Sequence, residues 1–274
     1  FSGDWSSDVC SSDLFMKKYL VFLMAALMLV ALAVAGCGGS KDEAKAQPEK
    51  VLRVATEPTF APFEFQKEGS DELAGFDMDL IRAIGKKLGY KVEIANMGFD
   101  ALIPALNTGN IDVAIAGMSI TDERKQAVGM SDPYYTSGLI VMVKKDNNDI
   151  KSIDDLAGKR IAAQIGTTGA DKANSVKDAK VTLFNTNTES AMELTNGGVD
   201  AVINDSPVIG YYLAQGGSEV AKTVGDVMEA EQYGIAVKKD NTKLLEDINK
   251  ALAELKKDGE YDKIYKTWFG EVKK

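Results

Sequence analysis

IDVAIAGMSITDER, residues 111–124, is the stretch on which the reading of this chain turns. Residues 111–116 form an apolar run of strand character that stops at Gly117. Two hydroxyls follow, Ser119 and Thr121, and then a charged turn of helix that ends on Arg124. Backbone N–H groups, hydroxyl donors and a guanidinium fork thus gather at one strand-to-helix junction, the chemistry that holds a carboxylate. The same residues also suit an ordinary helix start, with Thr121 as N-cap and Asp122 and Glu123 answering the helix dipole. The segment alone leaves both readings open.

Outward from this junction, strand and helix signals alternate. Residues 51–55 form a β-branched run, and Phe76, Leu80, Ile81, Ile84 and Leu88 repeat at helical spacing. Strand, helix and strand are expected over 91–95, 99–107 and 111–116. A further strand at 139–143 precedes the turn-rich KKDNND and a Ser-x-x-Asp helix start at Ser152. A second series follows: strands at 160–163, 181–184 and 199–203, with helices from Thr168, Thr188 and Asp205. One strand at 233–237 and two helices, 241–257 and 260–268, complete the pattern. Such alternation predicts α/β architecture with parallel strands and ligands at the strands' carboxyl ends. The segments YYTSGLIVMV (134–143) and QYGIAV (232–237) bracket the second series. Either they cross between two lobes, or they are ordinary strands of one larger sheet.

The amino end reads differently. Residues 1–15 lack periodicity and are expected to be foreign to the native chain, which then starts at Met16. Lys17 and Lys18, an apolar run over 20–34 and Val34-Ala35-Gly36-Cys37 make residues 16–36 a lipoprotein signal peptide, with lipid attachment at Cys37. The run falls short of the roughly 20 residues of a spanning helix. Residues 37–50 are polar and fit a flexible tether. The protein is therefore expected to be extracytoplasmic and held to the membrane by its lipid.

The net charge of −9 argues against nucleic acid as a partner. With no histidine, Ser-His-Asp and Cys-His catalysis are excluded, and the usual zinc spacings are missing. No metal, cofactor or catalytic group is expected.

Seven segments carry a family likeness: ATEPTFAPFEF (55–65), GFDMDLIRAIGKKLG (75–89), IPALNTGNIDVAIAGMSITDER (103–124), SDPYYTSG (131–138), IGTTG (165–169), VDAVINDSP (199–207) and YDKIYKTWFG (261–270). Together they resemble the polar amino-acid binding proteins of ATP-binding-cassette importers, the family 3 extracellular solute-binding proteins, nearest to the glutamine binders. The resemblance implies a two-lobed, type II periplasmic-binding-protein fold. It places lobe 1 at 51–133 and 234–274, lobe 2 at 139–228, and hinge strands at 134–138 and 229–233. It implies a monomer that takes a free L-amino acid to an ABC permease and its ATPase.

By the same resemblance Arg124 grips the ligand carboxylate, and Ser119 and the Gly117 carbonyl serve the carboxylate and the ammonium. Thr168 adds a backbone donor, Asp205 pairs with the ammonium, and Phe60 and Phe99 wall the aliphatic part. Three positions depart from the glutamine binders: Glu57 replaces an aspartate, Gln164 a lysine and Asn204 a histidine. Losing a lysine while keeping an acid favours a basic ligand, with glutamine next. The rival expectation is a cyclohexadienyl-type dehydratase on the same fold, with Glu57 as acid or base.

Overall fold

The computed structural model describes residues 49–228 and 230–270. The expected leader, signal peptide and Cys37, nearly all of the tether, and residue 229 of the second expected hinge lie outside the described residues. Along the chain the first strands are β1 (Val51–Thr56), β2 (Thr59–Phe60), β3 (Glu64–Gln66), β4 (Leu73–Ala74), β5 (Lys91–Asn96), β6 (Val113–Ala114) and β7 (Val128–Met130). There follow β8 (Tyr135–Lys144), β9 (Arg160–Gln164), β10 (Lys180–Phe184), β11 (Ala201–Asp205), β12 (Ala221–Val224), β13 (Ala230–Tyr233) and β14 (Ala236–Lys238).

Two main sheets result. The first has the order β5-β1-β6-β14-β7, with β1 parallel to β5 and β6, and β14 antiparallel to β6 and β7. The second runs β10-β9-β11-β8-β12, parallel across β10, β9 and β11 and antiparallel at β8. The central strands of each sheet are buried on both faces, as parallel strands require, while the outer strands β5 and β10 are partly exposed. In β1, Leu52 and Val54 enter one apolar cluster while Ala55 enters another. In β11, Ile203 faces one cluster and Val202 the opposite one.

Helices form where the apolar period is 3.6. Helix Phe76–Leu88 buries Phe76, Leu80, Ile81 and Ile84 completely, and stops at Gly89, whose φ of 73° lets its N–H reach back to the Lys86 carbonyl. Ser152 and Asp155 make the expected capping box, though the turn they open, Ile153–Leu156, is a 3-10 helix.

The chain passes between the sheets twice, once from β7 into β8 and once from β13 into β14. β13 lies antiparallel along the start of β8, with Tyr233 opposite Tyr135. The strand expected at 233–237 is therefore two strands. It leaves β8 after Tyr233 and joins β6 and β7 from Ala236, because one segment has to serve both sheets. The small sheet β2-β3-β4 was not anticipated; its strands are two or three residues long, too short for a period to register. Around the crossings sits an aromatic cluster. Phe63 has its ring 4.8 Å from Tyr135, 5.2 Å from Tyr233 and 5.2 Å from Phe269.

Candidate functional site

A small cavity lies between the two sheets. Its wall includes Glu57, Phe60, Phe99, Gly117, Ser119, Arg124, Gln164, Thr168 and Asp205, residues brought together from separate segments of sequence. The segment after β6, residues 116–124, whose hydroxyls and Arg124 form the expected carboxylate clamp, turns at Gly117, whose φ is 52°. A Cβ on Gly117 would come within 2.4 Å of the Phe60 ring, so glycine is what lets this aromatic wall close on the turn. Thr121 caps helix Asp122–Ala127 by accepting from the Arg124 N–H at 3.1 Å. The two readings of this segment coexist: the turn is capped, and Arg124 is itself buried and lines the cavity.

The Arg124 guanidinium donates to the Ser119 carbonyl at 2.7 Å and, across the cleft, to the Gly166 carbonyl at 3.0 Å. It lies 5.3 Å from the centre of the Phe99 ring, a cation–π distance. Burial lowers its pKa, an effect that Glu231, Asp171 and Asp205 oppose. Among the described residues no carboxylate forms an ion pair with it.

Asp205 ends β11 and accepts from Ser137 Oγ at 2.8 Å and Tyr233 OH at 2.5 Å. These donors stand on β8 and β13, the two strands at the crossings. Burial pushes the Asp205 carboxyl up to about 7 against the pull of those hydrogen bonds. Glu57 is 4% exposed and accepts from Thr59 Oγ1 and, from the facing sheet, Gln164 Nε2, both at 2.8 Å. Burial raises its pKa despite both donors. The Gln164 amide is fixed by donating also to the Asn185 carbonyl at 2.9 Å and accepting from Asn187 Nδ2 at 2.7 Å.

Asn204 stands apart from this set. It lines a neighbouring cavity with Met142, Asn187 and Tyr212. Side chains alternate along a strand, so with Asp205 turned to the first cavity its neighbour in β11 faces away.

Three wall residues escaped the sequence reading: Glu64, Ala116 and Thr167. Thr167 caps helix Thr168–Ser175, accepting from the Ala170 N–H at 3.1 Å. Glu64 is the most consequential of the three. It is fully buried, no N–H or hydroxyl among the described residues reaches either oxygen, and its hydrogen-bond neighbour is the Asp77 carboxyl. Burial and the neighbouring Asp77 push its carboxyl well above the usual range. Asp77 accepts from the Gly117 N–H at 2.9 Å and Tyr134 OH at 2.7 Å, and burial pushes it up to about 6. A fourth residue, Glu231, touches the clamp hydroxyls: its Oε2 accepts from Ser119 Oγ at 2.6 Å and Thr168 Oγ1 at 2.8 Å. APFEF had displayed Glu64 without assigning it, and nothing local to Glu231 signals a partner 112 residues away.

Two α/β lobes with a polar cavity between them, the chain crossing twice, define the two-lobed periplasmic-binding-protein fold. More narrowly, the chain belongs to the bacterial extracellular solute-binding proteins, family 3, whose sequence profile matches residues 52–271. It is 38% identical over 267 residues to a probable histidine-binding protein of Neisseria gonorrhoeae, covering 93% of this chain and 97% of that one. Among solved structures it resembles an ancestral arginine-binding protein bound to arginine, at 50% identity and a TM-score of 0.78, covering 82% of this chain and 100% of the other. The ancestral arginine-binding protein bound to glutamine matches at 51% identity and a TM-score of 0.76, with the same coverage. These relatives are described as histidine- or arginine-binding, and one of the two solved structures holds glutamine.

Proposed function

We propose that this protein captures one free L-amino acid by closing its two lobes, with a basic side chain preferred, and delivers it to an ABC permease and its ATPase. Lipid attachment at Cys37 would keep it at the outer face of the membrane. In this reading Arg124, Ser119, Gly117 and Thr168 take the ligand carboxylate and ammonium, Asp205 pairs with the ammonium, and Phe60 and Phe99 flank the side chain. Asn204, which lines the other cavity, is left out of the ligand's surroundings.

The choice of a basic ligand rests on one observation. Glu57 and Glu64 face the cavity, buried, with no cationic partner among the described residues. A buried carboxylate favours its protonated form unless a cation arrives. A guanidinium or ammonium on the ligand would supply that cation; a neutral side chain would not. Glutamine is the second reading, because Glu57 already accepts from the side-chain amide of Gln164. The named ligands of the relatives agree with both.

Calorimetric titration of unfolded and refolded, ligand-free protein with the common amino acids tests the reading. Arginine or lysine is expected to bind more tightly than glutamine. Tight glutamine binding with no response to arginine or lysine would overturn it. Glu57→Gln is expected to weaken arginine by about tenfold or more, the scale of a lost charge-assisted hydrogen bond, while changing glutamine binding little.

A further inference from the structure

We infer that Glu231 is a positioning residue that straps the closed cleft through the two clamp hydroxyls. Ser119 belongs to the segment that follows β6, and Thr168 begins a helix that follows β9, so the two stand on opposite lobes. One carboxylate oxygen of Glu231 accepts from both hydroxyls, at 2.6 Å and 2.8 Å. No other side chain among the described residues hydrogen-bonds to either hydroxyl.

The backbone holds Glu231 in place for this. The Ile120 N–H donates to the Gln232 carbonyl at 2.7 Å, and the Gly234 N–H donates to the Met118 carbonyl at 3.0 Å. Ser119 and Tyr233 form an antiparallel bridge between these bonds. β13 is thereby fastened beside the clamp segment while also pairing with β8. The strap is thus carried by the crossing strand itself.

Glu231 does not occupy the seat on the guanidinium. The Arg124 guanidinium donates to the Ser119 and Gly166 carbonyls, and Glu231 makes no ion pair with it. The carboxylate closes the hydroxyl side of the clamp and leaves the fork free to exchange its carbonyls for a ligand carboxylate. It therefore acts with the ligand rather than against it, holding the lobes together before and after capture. This inference rests on lobe closure as proposed above, but on neither choice of ligand.

Two measurements test it on the purified protein. Small-angle scattering without ligand reads the open-to-closed balance, and stopped-flow dissociation reads the closed state with L-arginine and, separately, L-glutamine as probes. Glu231→Ala is expected to raise the ligand-free radius of gyration. It should also speed dissociation of whichever probe binds by about five- to tenfold, the scale for losing bonds to a half-exposed charged acceptor. Glu231→Gln keeps the shape and one acceptor and should fall between. Thr168→Val keeps the backbone N–H; combined with Glu231→Ala, it should add little to the single change. Unchanged scattering and dissociation in Glu231→Ala, with full additivity in the double variant, would overturn the strap. Tighter binding in Glu231→Ala would overturn it too, by making the carboxylate a competitor for the ligand's seat. If neither probe binds the parent protein, the ligand reading fails, while scattering still decides the strap.

Discussion

The lobes meet in two regions built on opposite principles. At the crossings the contact is aromatic: Phe63, Phe76, Tyr135, Tyr233 and Phe269 pack ring against ring, with centroids 4.8–6.2 Å apart. Across the cleft it is polar and thin. The Gln164 amide reaches Glu57, the Arg124 fork reaches the Gly166 carbonyl, and the Asn187 N–H reaches Thr59 Oγ1 at 3.2 Å. Burial of rings contributes steadily and is lost only on unfolding. Hydrogen bonds exchanged with water contribute about 1 kcal/mol each, and can be broken and remade. The first region makes the molecule one body; the second is what the proposed opening would break.

The largest expected effect tests the aromatic side. Phe63→Ala should cost about 3–5 kcal/mol of folding stability, the range for deleting a buried ring, read by chemical denaturation. A loss below about 1 kcal/mol would mean that the cluster is not what joins the crossings.

Gly166→Ala probes the polar side. Gly166 has a φ of 75°, and a Cβ there would stand 3.2 Å from Asp100 Cβ on the facing lobe. The conformation alone costs about 1 kcal/mol for alanine, and the added methyl props the cleft. Ligand affinity should fall about tenfold while the denaturation midpoint moves little. If stability fell as far as in Phe63→Ala, the two regions would not differ in kind.

Acidity separates them most finely. The folded protein raises Asp205 to about 7 and Asp77 to about 6 from the ordinary aspartate value of 3.8. The native state therefore holds protons that the unfolded chain has released, so these groups contribute less stability as pH rises through their folded values. The ligand-free protein should become more stable as pH falls from about 8 to about 5. The surface pairs Asp112–Arg53 and Asp200–Arg160, whose acids are lowered, act in the opposite sense at lower pH still. Ligand affinity should run the other way, strengthening as Asp205 ionises and releasing a proton on binding near pH 6 to 7. Calorimetry in buffers of different ionisation enthalpy reads that proton, and a melting temperature that drops steadily from pH 8 to 5 would contradict the assignment.

Much of this was legible in sequence where chemistry is local. The apolar period of residues 76–88, the Ser152 capping box and the clustering of Gly117, Ser119 and Arg124 all depend on neighbours within one turn or strand. Features that depend on how the lobes meet were not legible. Glu231 finds Ser119 only because β13 is bridged to the segment after β6, and Glu64 becomes a problem acid only once folding buries it and brings Asp77 against it. The one strand expected at 233–237 failed for a related reason, since apolar character persists through the point where pairing changes partners. Asn204, one position from Asp205 on β11, lines the neighbouring cavity because a shift of one position along a strand changes the face.

The placing of Asp205 has a mechanical consequence. Its two hydrogen-bond donors, Ser137 and Tyr233, sit on the two strands by which the chain passes between lobes. On the proposed reading, a cation arriving at this carboxylate would compete for the electron density that those donors share, and so tug on both strands at once. If Asp205 takes the ligand ammonium as proposed, cargo detection and pivot are wired to one atom group, and a change of charge there needs no intermediary to reach the crossings.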